Sequence, residues 1–167
     1  MDEPLVLEAV RRRIQEAAGA TYAPATADAV AATERSLGFR LPPLYVQLLT
    51  QVANGGFGPG FGLIGLPPDG FVDTDLPGDL VSTYLLGRGA VERGLRTPEA
   101  LVVLCTWGCG RVSYIDAARP EAPVVSSELT DKGVEYVQTS SRFRDWIAAW
   151  ANGNGAWVDP VGTCQRV

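Results

Sequence analysis

The stretch that decides the fold is ERSLGFRLPPLYVQLLTQVANGGFGPGFGLIGLP, from Glu34 to Pro67. Its first part closes a helix: Leu37 ends an apolar spacing of three and four, and Gly38 supplies the residue that tolerates a left-handed stop. Leu41-Pro42-Pro43 then launches another helix, because proline is accommodated in the first turn, where its missing N–H costs nothing. Leu44, Tyr45, Leu48, Leu49 and Val52 give that helix a broad apolar face. Asn54-Gly55-Gly56 ends it, and the period changes: Phe61 to Leu66 predicts a short strand leaving a glycine-rich loop.

Upstream, Pro4, Leu7, Val10 and Ile14 predict a first helix stopped at Gly19. Thr26 predicts the N-cap of a second, which carries Val30, Glu34 and Leu37. Downstream, Asp79 predicts a cap for a short helix over Leu80 to Leu86. The unbroken apolar run Leu101 to Cys105 predicts a strand buried on both faces. Shorter strands follow at Val112–Asp116, Val124–Ser126 and Val134–Thr139. A last helix capped by Ser140 or Ser141 carries Phe143, Trp146, Ile147 and Trp150 on one face, and Asn152-Gly153 ends it. Helices, then strands, then one closing helix predict an α+β fold with N-terminal helices on a mostly antiparallel sheet. The expected organisation is one domain over 1–167, its core about 5–153 and its tail 154–167 loosely held.

Composition removes whole classes of function. The chain has 167 residues, 14 Lys+Arg against 19 Asp+Glu, and no histidine. An acidic balance argues against general nucleic-acid binding, which needs clustered cations. Without histidine, Ser-His-Asp and Cys-His catalysis and imidazole metal sites are out. Cys105, Cys109 and Cys164 are too few for a four-ligand zinc site or a disulfide scaffold, so packing is expected for Cys105 and a turn role for Cys109. Gly60 to Gly65 spells G-x-G-x-x-G, yet a helix precedes it and Leu66-Pro67-Pro68 follows, the wrong context for a pyrophosphate. The expectation is therefore no metal, nucleotide or other cofactor, and no catalytic residues. Asp116, Glu121 and Glu128 are the carboxylates a hydrolase would have to use. Arg11-Arg12-Arg13 sits among Glu8 and Glu16 and reads as helix-surface pairing. An acidic start and the lack of a long apolar run point to the cytoplasm, with no membrane contact.

The strongest positive feature is a charge asymmetry. No basic residue lies between Arg40 and Arg88, while Asp69, Asp73, Asp75 and Asp79 crowd one Pro- and Gly-rich loop. Such a stretch carries negative potential, suited to steering a basic partner. Trp107, in a Gly-flanked bend, is either a lid on the core or a partner contact. These five residues are the candidate partner-binding set.

Glu34, Leu37, Gly38, Leu41, Pro42, Tyr45, Leu48, Leu49, Asn54, Gly55 and Gly56, taken in order, resemble the SUKH superfamily of Smi/Knr-type domains. LVVLCTWGCGRVSYID (Leu101 to Asp116) looks like that family's central hairpin, and SSRFRDWIAAWANG (Ser140 to Gly153) like its closing helix. Asp69 to Glu99 matches least. The resemblance implies an α+β protein-binding domain that is not an enzyme. Many bacterial members resemble immunity proteins, which bind and neutralise a cognate toxin, including nucleases; fungal relatives look like regulatory scaffolds. The leading expectation is thus an immunity protein, the alternatives a scaffold module for an endogenous partner or a carboxylate-based hydrolase. Oligomeric state is left open.

Overall fold

A computed structural model describes residues 2–17, 22–89, 98–131 and 133–154. Five helices and four strands follow in the order α1 (Glu3–Ala17), α2 (Ala27–Leu37), α3 (Pro43–Gln51), α4 (Leu80–Gly89), β1 (Leu101–Gly108), β2 (Arg111–Asp116), β3 (Val124–Thr130), β4 (Gly133–Ser140) and α5 (Phe143–Ala151). The strands form one antiparallel meander in the order β1-β2-β3-β4. This is the α+β arrangement expected, with helices first and one helix closing the chain.

Local chemistry places the helices. The Thr26 side chain accepts from the Ala29 N–H, and Gly38 ends α2 at φ 85° with its N–H on the Glu34 carbonyl. The Glu34 carboxylate is itself nearly buried, accepting from the Leu41 N–H at 2.9 Å and from Arg40 at 2.6 Å. It thereby ties the end of α2 to the start of α3. The apolar face of α3 is the centre of the core: Tyr45, Leu48 and Leu49 are 0% exposed. Burial raises the Tyr45 hydroxyl pKa well above the ordinary tyrosine value, and that hydroxyl donates to the Ile64 carbonyl at 2.7 Å. Tyr45 also meets Phe143 of α5 edge-on at 5.9 Å.

Phe61 to Leu66 is not a regular strand. It runs along the free edge of β1, where Phe61 N–H donates to Thr106 O at 3.0 Å and Ile64 N–H to Leu104 O at 2.7 Å. Other backbone groups of the segment bond to Gly56, Phe57, Pro59 and Phe71 instead. Asn54, 3% exposed, grips Leu66 twice, donating to its carbonyl at 2.9 Å and accepting from its N–H at 2.7 Å. A Cβ at Gly60 would collide with the Thr106 carbonyl, so that glycine is required by close approach of loop to strand.

Three local expectations change. The cap of α5 is Arg142, without a side-chain cap bond, and Ser140 instead contacts the Arg142 backbone two residues on. Trp150 is only half-buried, lying 6.4 Å from Phe57 with Arg13 stacked 6.0 Å from its ring. Two of the three arginines in the run thus make tertiary contacts, since Arg11 donates to the Gln51 carbonyl at 3.2 Å. The expected stop at Gly19 and the tail from 155 onward lie outside the described residues.

Candidate partner-binding face

The aspartate-rich loop joins the Pro67–Pro68 turn to α4, and its acids divide by direction. Asp73 points inward and is 1% exposed. Its Oδ2 accepts from the Thr106 hydroxyl of β1 at 2.7 Å, and its Oδ1 accepts from the Asp75 N–H at 2.9 Å. Asp79 caps α4, its Oδ1 accepting from the Ser82 N–H at 2.7 Å, and is half-buried. Asp69 and Asp75 are exposed. The loop is thus anchored by one acid, fastened to a helix by a second and outward-facing at two more.

Trp107 also belongs inside. The structure extends β1 to Gly108, so the residue lies in the strand rather than in the bend. It is 1% exposed, and its indole N–H donates to the Ser113 hydroxyl at 2.8 Å. That hydroxyl lies 3.2 Å from Ser126 on β3, which makes a small buried polar chain across three strands. Of the five residues singled out from the sequence, Asp69 and Asp75 are exposed, Asp79 is half-buried as a helix cap, and Asp73 and Trp107 are buried, Asp73 against Thr106 and Trp107 on the opposite side of the sheet with Ser113.

Sequence reasoning missed the apolar part of this face. Leu101 pairs with Asp116, Val103 with Tyr114 and Thr106 with Val112, so β1 and β2 present Leu101, Val103, Val112 and Tyr114 on one side of the sheet. The opposite side holds buried Ser113 and Ile115, with Val124 and Ser126 beside them on β3. α4 covers the β1 half of the first side and leaves a groove of about 260 Å³ between itself and β2. Leu76, Tyr84, Leu86, Val103, Val112 and Tyr114 line it, with Asp75 at its mouth. Tyr84 is steadied from behind by an edge-on contact with Phe39 of α2 at 5.6 Å. Leu85 and Leu86 are 52% and 56% exposed on α4. Beyond the groove the sheet carries a Tyr114–Tyr136 edge-on pair at 6.0 Å. Burial raises the Tyr114 pKa to about 12, an effect its hydrogen bond to Ser127 only partly offsets. The tell-tale signal in the sequence was Leu85-Leu86, two adjacent leucines on a helix too short to bury both.

Cys105 is buried and packs in the core. Cys109, in the β1–β2 turn at φ 51°, is disulfide-bonded, so its role exceeds that of a turn residue. Among the described residues no three His, Cys, Asp or Glu side chains come together as a metal site. Asp116 is at the end of β2 beside the start of β3, and its Oδ1 accepts from the Ala118 N–H. Glu128 lies toward the other end of β3, paired with Glu135 of β4. No helix among the described residues is long and apolar enough to cross a membrane.

Comparison with known families identifies one. The model of the SMI1 / KNR4 family (SUKH-1) matches residues 24–149, which takes in every element from α2 to the body of α5. A comparison with curated proteins returns no match.

Proposed function

This chain belongs to the SMI1/KNR4 family (SUKH-1), and from that premise we propose that it is an immunity-type binding protein that neutralises a basic toxin by direct contact. The observation that carries the reading is the division of the acidic loop. Asp69 and Asp75 are exposed on a segment without a single cation between Arg40 and Arg88, and half-buried Asp79 caps α4 within it. Asp73 holds that segment on β1. A negative surface fixed in position accelerates encounter with a basic partner and suppresses acidic ones. Membership supports a protein as partner, because many family members resemble immunity proteins. The buried acids give no support to catalysis: Asp73 is engaged by the Thr106 hydroxyl and the Asp75 N–H, and Glu34 by the Leu41 N–H and Arg40. In this reading the domain works in the cytoplasm and needs no cofactor.

The test is co-expression with the polypeptide encoded beside its gene, scored by growth of the host, and followed by stopped-flow association of the purified pair. The wild-type chain restores growth. The triple variant Asp69→Lys, Asp75→Lys, Asp79→Lys loses the Asp79 cap bond to Ser82 and melts about 2–4 °C lower, since an N-cap contributes about 1 kcal/mol, and it remains folded at the assay temperature. It associates more slowly at low salt by about tenfold, since steering charges act on the encounter rate. Failure of the wild-type chain both to bind that polypeptide and to protect the host refutes the immunity reading. An unchanged association rate in the triple variant removes the loop from the interface.

A further inference from the structure

The chain has three cysteines, and their chemical states differ. Cys109 is disulfide-bonded. Cys105 keeps its thiol, buried in β1 and close enough to Tyr45 for its charge to oppose ionisation there. We propose that Cys109 is bonded to Cys164, and that this bond straps the C-terminal tail across the glycine-rich loop. The inference stands apart from the immunity reading.

Cys109 lies exposed in the β1–β2 turn, beside the depression that Asp75, Thr106 and Arg111 line. The tail starts from the other side of the glycine-rich loop. Near the end of α5, Trp150 joins Ile14, Phe57, Phe61 and the glycines of 55–62 around an apolar hollow of about 240 Å³. That hollow adjoins β1, because Gly60 packs against the Thr106 carbonyl and the Cys105 sulfur. The loop therefore lies between the last helix and the turn that carries Cys109. The ten residues from Asn154 to Cys164 reach at most about 35 Å when extended, more than a hollow of this size requires. Trp157 is the large apolar side chain of that stretch, and a hollow already walled by aromatic rings suits it.

Closing the bond converts two thiols into one disulfide and gives up two electrons and two protons. The acceptor is a small disulfide such as oxidised glutathione. One cysteine thiolate attacks it and displaces a first thiol; the second cysteine attacks the mixed disulfide and displaces the other, so the oxidant leaves as two thiols. Exposure at the turn admits that oxidant to Cys109, while burial withholds it from Cys105. The same exposure admits the reverse attack. A reducing cytosol therefore restores both thiols and releases the tail, and an oxidising compartment holds the strap closed beside the acidic loop.

The full chain tests this after treatment with oxidised glutathione and again after a phosphine reductant. Unfolded and alkylated with iodoacetamide, the oxidised chain takes up one group, at Cys105, and the reduced chain takes up three. Trypsin releases peptide 97–111 joined to peptide 145–166, and fragmentation places the bond on Cys109. Reduction lowers Tm by about 5–15 °C, because a long ring no longer restrains the unfolded chain. It also moves the amide shifts of Gly56, Phe57, Gly58 and Phe61. Cys164→Ser abolishes both responses, Cys105→Ala retains both, and Trp157→Ala keeps the bond but loses the shift at Phe57. Three alkyl groups before reduction, a disulfide-linked dimer, or a bond to Cys105 overturns the pairing. An intact bond whose reduction leaves the amides of the glycine-rich loop unmoved overturns the strap.

Discussion

Asp73→Ala removes the carboxyl that fastens the acidic loop to the sheet. At 1% exposure the side chain accepts from the Thr106 hydroxyl at 2.7 Å and from the Asp75 N–H at 2.9 Å. Each bond contributes about 1–1.5 kcal/mol net, and the Thr106 hydroxyl, 2% exposed, is stranded at a further cost of about 1–3 kcal/mol. Release from burying a carboxyl offsets part of this, which leaves a loss of about 2–4 kcal/mol. For a domain of this size that lowers Tm by about 5–15 °C. Asp73→Asn is the informative control. Its carbonyl still accepts from Asp75, and its NH₂ can donate to a Thr106 hydroxyl turned to accept, so it loses less than half as much. Differential scanning calorimetry reads both, with association kinetics measured at a temperature where each variant is folded. If Asp73→Ala melts within about 2 °C of wild type while partner binding collapses, the residue is a contact and the anchoring argument is wrong.

Trp146 and Trp150 separate on the same physics: Trp146→Ala, at 3% exposure, costs about 3–5 kcal/mol, whereas half-buried Trp150→Ala costs about 1–3 in urea titration. Asn54→Ala breaks both bonds to Leu66 and costs about 2–4 kcal/mol in the same titration; a shift below about 0.5 kcal/mol would show that the α3 stop is held by glycines alone. Tyr114 gives a pH prediction: its pKa is raised to about 12, so the folded state holds the proton more tightly than the unfolded one near 10. That contribution to stability is complete below about pH 10 and is lost as pH rises from there toward 12, so Tyr114→Phe flattens the alkaline arm of the stability curve.

The parts of the fold governed by neighbours in sequence were readable in it. Thr26, Gly38 and Pro43 act within a turn of themselves, and each stands where local capping rules put it. What escaped depends on distant partners. The reading of Phe61 to Leu66 as a strand failed because Asn54 and the turn at Phe71 take the backbone groups a ladder would have used. Trp107 was placed in a bend because Gly108 and Gly110 flank the turn; the register shifts after Val103 and Thr106 that carry it into the sheet leave no local mark. Asp73 was grouped with its neighbours since its partner, Thr106, is 33 residues away. One clue existed. A threonine at the end of a fully buried strand requires a partner for its hydroxyl, and the aspartate loop was the nearest unspent supply of acceptors.

That pairing changes what the loop can do. Four free aspartates on a slack loop would form a diffuse negative cloud, able to attract a cation but paying rotational and backbone entropy for every contact it settles into. With Asp73 on β1 and Asp79 on the first turn of α4, the intervening Asp75 is held at both ends. Its backbone N–H is committed to Asp73, which orients the residue at the mouth of the groove. A charge fixed in position can discriminate geometry as well as sign, because a partner's charge must arrive at a set place to meet it. An exposed loop outside the packed core is where such a requirement can be rewritten without disturbing the fold. Rewriting is confined to the outward acids, however: exchange of Asp73 would loosen the scaffold that gives the others their positions.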